Sequence, residues 1–339
     1  MNQPTTKVFG SGGDRPGNNR SRLQPSFKVI MSLGLILLSV LDFRHGRRSL
    51  WPNRLWKKSV VNIRQVERQG QIVGGYVLGA VLGEGSFGKV YKATKDGREY
   101  AVKESKNMYQ ADLASFKQEL EAMTQLKGVP GIVQLVDVME ADGKYYVVMP
   151  LAKGDVGKLV KEHKLSNQKV RQIFKQLVQT VEAMHKKGWC HLDIKPDNLL
   201  CLDDECQSVA LTDFGTASKN KTFRNIVGTP LYTSPEAFEA KTKAYNGKLL
   251  DIWSMGVVLY EMLTYEPPFT GKHEWDMVRA IQTKDVVCPS DTSNHAACDL
   301  IKKMLVKDPK RRISIAKIKK SDYWKKGENA RKRSSRRSY

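Results

Sequence analysis

Between residues 191 and 215 the chain crowds together side chains that bind anions and cations: His191-Leu192-Asp193-Ile194-Lys195-Pro196-Asp197-Asn198, then Asp213-Phe214-Gly215, with fifteen residues from Asn198 to Asp213. A carboxylate, a lysine and an amide on one short loop, with a second carboxylate nearby, are the groups that phosphoryl transfer requires. That reaction needs a base or orienter for the attacking hydroxyl, cations to offset charge on the transferring group, and oxygen donors for a hard divalent metal. In this reading Asp193 accepts the hydroxyl proton, Lys195 neutralises the γ-phosphate, and Asn198 with Asp213 holds Mg2+.

Two upstream segments fit the same chemistry. Gly83-Glu84-Gly85-Ser86-Phe87-Gly88-Lys89-Val90 lies between two strand-like runs, whereas a dinucleotide fingerprint would open a helix after a strand. It reads as a hairpin whose glycines let the backbone approach phosphate oxygens, although an ordinary Gly-rich hairpin would look the same. Fifteen residues after Gly88, Ala101-Val102-Lys103 puts a lysine on the third strand, where its cation can hold the α- and β-phosphates. Such a lysine needs a partner to fix it. The amphipathic stretch that follows offers Glu119 and Glu121, which stand about 200° apart on a helix, and Glu119 is the one selected, with Glu121 left as a surface charge.

These residues need elements to position them. From Tyr76 to Tyr146 short β-branched and aromatic runs (76–82, 89–93, 99–103, 132–138, 145–149) are separated by Gly and Asp turn signals, predicting a small sheet. One interruption, Ala111 to Leu126, carries Leu113, Phe116, Leu120, Met123 and Leu126 at helical spacing. After Leu151 the pattern turns helical, notably over 166–186 and 251–263. The expectation is an α+β, two-lobed fold: a small antiparallel-sheet lobe with one helix, and a larger, mainly helical lobe.

With these motifs in place, the chain resembles the protein kinase family, Ser/Thr branch, over roughly 76–324. The resemblance includes Gly228-Thr229-Pro230-Leu231-Tyr232-Thr233-Ser234-Pro235-Glu236, which is similar to the end of an activation segment with Ser in place of the usual Ala. It also includes Asp251-Ile252-Trp253-Ser254-Met255-Gly256 and Asp308-Pro309-Lys310-Arg311-Arg312. It implies a small lobe over 76–149, a large lobe over 150–324 and Mg-ATP between them. It further implies an adenine-binding hinge at Pro150 to Ala152, Met149 guarding the back pocket, Asp155 near the ribose, and Val90 and Ala101 beside the nucleotide. Glu236 is implied to pair with Arg312, and Asp251 to brace the catalytic-loop backbone. The implied activity is transfer of the γ-phosphate of Mg-ATP to Ser or Thr of protein substrates; a weak scaffold that binds partners through basic tails is the alternative, and a small-molecule kinase is disfavoured by the 228–236 segment. Asp155 and Asp197 incline the substrate towards basic sequences, unless Asp155 serves only the ribose. Leu192 departs from the family, in which arginine commonly precedes the catalytic aspartate and can bind a phosphate on the activation segment.

The formal charge of +22 sits at the ends: residues 1–70 carry an excess of +10, 71–309 of +1 and 310–339 of +11. A globular core is therefore electrically balanced, and no strong nucleic-acid signal arises from it. Residues 2–22 are too polar to fold. Val29 to Leu41 is an apolar run of thirteen residues, about 20 Å as a helix and short of the ~30 Å hydrocarbon core. Arg44, Arg47, Arg48, Trp51, Arg54, Trp56, Lys57 and Lys58 follow it. A targeting presequence, a membrane-surface anchor and a packing helix all fit this leader, and Met31 could be a start. The basic tail, 325–339, suits nuclear import, an anionic membrane or a merely solvated segment. The chain is thus expected to be intracellular, with organelle-targeted, membrane-associated and nuclear locations all open. Five cysteines without a paired pattern argue for a reducing compartment.

Overall fold

The computed structural model describes residues 60–62, 70–85, 88–105, 110–288 and 294–325, all within the unit that runs from Arg54 to Tyr339. Ser86 and Phe87, the apolar run and basic stretch of the leader, and the tail from residue 326 lie outside the described residues.

The strands are β1 (Val60–Asn62), β2 (Ile72–Val73), β3 (Tyr76–Gly85), β4 (Gly88–Lys95) and β5 (Arg98–Ser105), followed by helix α1 (Gln110–Gln125), then β6 (Asp137–Ala141) and β7 (Lys144–Pro150). They form one sheet in the order β1-β6-β7-β5-β4-β3-β2. All its pairs are antiparallel except β1 with β6, so the sheet gains a parallel strand from sequence ahead of the expected boundary at Tyr76. Period-two alternation splits β7 between two cores. Tyr146 and Val148 join Val73, Tyr76, Leu78, Ala93 and Val102, while Val147 and Met149 face α1 and the main core.

The fourth expected strand, 132–138, is corrected: pairing begins only at Asp137. Ile132 instead makes a parallel bridge to Leu211, with Val133 N donating to Leu211 O at 3.0 Å, so these buried β-branched residues join the small lobe to the large one.

The large lobe follows with β8 (Gly154–Asp155), α2 (Val156–Lys161), α3 (Asn167–Lys186), β9 (Leu199–Cys201), β10 (Val209–Leu211), β11 (Thr222–Phe223), α4 (Pro235–Phe238), β12 (Tyr245–Asn246), α5 (Gly247–Thr264), α6 (Glu274–Thr283), α7 (His295–Met304) and α8 (Ile315–Ile318). Ser166 caps α3, its Oγ accepting from Lys169 N, and the helix buries Val170, Ile173, Phe174, Leu177, Val178, Val181 and Met184 along one stripe. Helix α5 is apolar nearly all round and correspondingly central: Trp253, Met255, Val257, Val258, Leu259 and Met262 have no exposed surface. Each such large side chain contributes about 1.5–3 kcal/mol of burial. Tyr265, in the left-handed region at φ 64°, ends the helix. Among the described residues no helix is long and apolar enough to cross a membrane.

The cysteine expectation is also corrected. Cys201 bonds Cys206 and Cys288 bonds Cys298, leaving Cys190 free and buried. The first pair is made by a turn: Cys206 N donates to Asp203 O, and the Asp203 carboxylate accepts from Gln207 N and Ser208 N, returning Cys206 to 4.7 Å from Cys201 between Cα atoms. Sequence spacing carries no sign of that turn.

Candidate active site

A cleft of about 910 Å³ separates the sheet from the helical lobe. Gly83, Gly88, Val90 and Ala101 line its upper wall, Met149, Pro150 and Ala152 its back, and Asp155, Asp193, Lys195 and Asp213 its floor. Of the described residues read from sequence as site residues, Glu84 is exposed and away from the lining, and Asn198 is buried behind it.

Lys103 projects from β5, whose register sets it opposite Val90 on one side and Val147 on the other. Its Nζ lies 2.7 and 2.9 Å from the two oxygens of Glu119 and 3.1 Å from Asp213 Oδ1. Burial alone would favour neutral Lys103, but Glu119 and Asp213 more than offset it and hold the ammonium above its ordinary range. Glu121, the alternative partner, instead accepts from Gln125 Nε2 one turn along the helix. Helix α1 is also tied to the segment after Asp213: Ser115 Oγ donates to Gly215 O at 3.0 Å and Gln118 Nε2 to Ala217 O. Asp213 itself sits at φ 62°, a left-handed conformation uncommon for a non-glycine residue.

The loop bearing Asp193 is held from below. Asp251 on α5 is 1% exposed, and its carboxylate accepts from His191 N at 3.0 Å and Leu192 N at 2.8 Å and lies 2.7 Å from His185 Nε2. His191 Nε2 donates to Thr212 O, leaving Nδ1 to accept from Asp193 N at 3.3 Å. Lys195 Nζ bridges Asp193 Oδ2 and Thr229 Oγ1, each at 2.8 Å, while Thr229 N donates to Asp193 Oδ1 at 2.8 Å. Burial opposes the charge on Asp193, yet these bonds from Lys195 and Thr229 hold its carboxyl below the usual carboxylate range. Gly228 allows this approach: at φ +83°, an added Cβ would stand 2.2 Å from Leu192 O. Asn198 spends its Nδ2 on Asp193 O at 2.8 Å, which turns its amide oxygen away from that carbonyl.

Leu192 is 2% exposed, at φ 70°, and packs with Cys190, Phe223, Ala237, Tyr245 and Leu250. Phe223 belongs to β11, which pairs antiparallel with β12 through Phe223 and Tyr245. An apolar plug thus stands where an arginine–phosphate contact would otherwise order this segment. Phosphatase treatment of the purified chain is accordingly expected to leave most of its activity; loss of most activity, restored by rephosphorylating Thr222, would sink that expectation.

At the far end of the segment Arg312 meets Glu236 in a two-pronged pair at 2.7 and 2.8 Å, and the same guanidinium donates to Leu249 O and Val306 O. Sequence reasoning missed His185, the β11–β12 ribbon and the bond from Tyr232 Oη to Glu261 Oε2. A histidine at a helix C-terminus and a two-residue strand carry no local signal of these partners.

Comparison with known proteins agrees with this geometry. Residues 76–324 match the protein kinase domain. The chain is 36% identical over 268 residues to CBL-interacting protein kinase 11 of Oryza sativa subsp. japonica, covering 75% of this chain and 52% of that protein. It is 35% identical over 255 residues to calcium-dependent protein kinase 29 of Arabidopsis thaliana (71% and 47% covered). It is 33% identical over 275 residues to CBL-interacting serine/threonine-protein kinase 19 of Arabidopsis thaliana (78% and 56% covered). The chain therefore spans about half the length of the curated relatives it matches. With a lysine–glutamate pair over one wall of the cleft, a clamped aspartate on its floor and a family match across both lobes, this chain belongs to the protein kinase family.

Proposed function

We propose that this chain is an active Ser/Thr protein kinase that moves the γ-phosphoryl group of ATP onto a serine or threonine hydroxyl of a protein. The observation that carries the reading is the meeting of two charge clusters across one cleft, Lys103–Glu119–Asp213 and Asp193–Lys195–Thr229. Lys103, fixed by Glu119, holds the α- and β-phosphates beneath the glycine-rich hairpin, and Met149 to Ala152 receive the base. Asp193 accepts a hydrogen bond from the substrate hydroxyl and takes its proton as the oxygen attacks phosphorus. Lys195 offsets charge on the transferring group, and the bond from phosphorus to the ADP oxygen breaks in line. Little covalent work falls to the protein; positioning and charge compensation do most of it.

The donor set suits Mg2+: the Asp213 carboxylate and the Asn198 amide offer the oxygen ligands a hard cation prefers. Bound there, the ion would screen the phosphate oxygens against one another. Substrates with basic residues before the acceptor fit the carboxylates of Asp155 and Asp197 at the cleft's edge.

The test is phosphorylation of a mixed peptide library by the full chain with Mg-ATP, read by mass spectrometry beside an Asp193→Asn chain. Incorporation on Ser or Thr that vanishes in the variant is the expected result; none from folded, ATP-binding wild type would overturn the reading.

A further inference from the structure

At the mouth of the cleft two carboxylates from different elements converge, one of them paired with one of the chain's own lysines, and the charge of a third acts on that lysine. Asp155 caps α2, its Oδ1 accepting from Lys158 N at 2.7 Å. Asp197 lies in the turn just beyond Asp193, and both Asp155 and Asp197 line the cleft. The two converge beside Gly157: a Cβ there would stand 2.8 Å from Asp197 Oδ1 and 3.1 Å from Asp155 Oδ1, so the glycine keeps that space open. Glu261 arrives from α5, its Oε2 accepting from Tyr232 Oη at 2.8 Å.

Lys161 stands four residues beyond Gly157 and therefore on the same side of α2. Its Nζ donates to Asp197 Oδ1 at 3.0 Å. That hydrogen bond and the charge of Asp197 hold the ammonium above its ordinary range against a slight loss of hydration, and the charges of Asp155 and Glu261 add to the effect. Both members of the pair are solvated, with side chains 74% and 47% exposed. A pair of this kind is weak and readily displaced.

We infer that Lys161 is a specificity-determining residue: it fills, from within the chain, the carboxylate pocket beside the cleft that a basic residue of the substrate would take, and so restrains selectivity for basic substrates. The inference rests on the protein kinase reading and on the peptide passing Asp155 and Asp197. A substrate must displace the Lys161 ammonium before its own cation can bind. Arginine does this better than lysine, because its guanidinium offers paired N–H donors to a carboxylate and is less strongly hydrated. Without Lys161 the carboxylates face solvent uncompensated and attract a basic residue more strongly.

The test compares the full-length wild type with Lys161→Ala on peptides that differ only by arginine or alanine at one of the four positions preceding the acceptor serine. The quantity read is the ratio of kcat/KM for the arginine peptide to that for the alanine peptide. At low salt, Lys161→Ala is expected to raise the largest such ratio about two- to fivefold, the worth of an exposed ion pair, and 0.5 M salt should shrink the gain. Lys164→Ala, which removes an exposed lysine paired with Glu162, should leave the ratio where it was. Equal ratios in wild type and Lys161→Ala, with both peptides phosphorylated, overturn the role of Lys161 alone. Failure of the wild type to phosphorylate any peptide overturns the kinase reading and this inference with it.

Discussion

A chain carrying Asp193→Asn is expected to turn over its peptide substrate about 10²–10⁴-fold more slowly than the wild type, while its KM for ATP changes little. The substitution keeps the size of the side chain and an oxygen for Thr229 N, so the loop need not move. It removes the proposed base, and it turns an amide towards either Lys195 or Thr229 N, where two donors would face each other. Lys103, held by Glu119 and Asp213, is left untouched and in the proposed reading still receives the phosphates. Steady-state kinetics decide the matter: turnover within tenfold of wild type would remove Asp193 from the role of base. The pH profile gives the sign independently. A base is active when deprotonated, and Asp193 is held below the usual carboxylate range, so its acid limb should lie on the acid side of where an ordinary aspartate titrates. Lys195→Ala removes the Lys195 bond that favours the charged form and should move that limb upward.

Glu236→Ala is expected to destabilise the large lobe by about 3–5 kcal/mol, the cost of leaving a buried charge without its partner. The side chain of Arg312 has no exposed surface, so water cannot replace the lost carboxylate. Its remaining acceptors, Leu249 O and Val306 O, are neutral, and Trp253 covers the guanidinium at 5.1 Å. For a domain of this size the thermal midpoint should fall on the order of 10 °C. Calorimetry of the two proteins checks this; a fall of only a degree or two would mean that solvent reaches Arg312 after all. Because Glu236 also ends the segment that begins at Asp213, activity should decline before the lobe melts.

The grouping of the site's side chains was legible in the sequence because it is local. Asp193, Lys195 and Asn198 share one loop, and spacing alone brings their side chains together. Glu119 could be distinguished from Glu121 by helical phase, since α1 keeps a regular period. Other features depend on partners distant in the chain. Ile132 and Val133 have the composition of a strand, but Leu211 recruits them into a bridge between lobes. Phe223 and Tyr245 read as isolated aromatics until a two-residue ribbon brings them onto Leu192. Cys201 and Cys206 meet only because Asp203 organises the turn between them. Lys161 reads as one more surface lysine, and only the fold sets Asp197 against it, with the charges of Asp155 and Glu261 adding to the hold.

The clamp on the catalytic loop separates shape from chemistry. One carboxylate on α5 takes the N–H groups of His191 and Leu192, so a helix some sixty residues downstream specifies the path of the loop. Leucine at φ 70° would not hold that path by its own preference; the strain is absorbed by a rigid, fully buried support. Side chains along the loop are thereby released from having to encode its conformation. Position 192 can therefore carry an apolar plug without moving Asp193 from where the proposed reaction needs it.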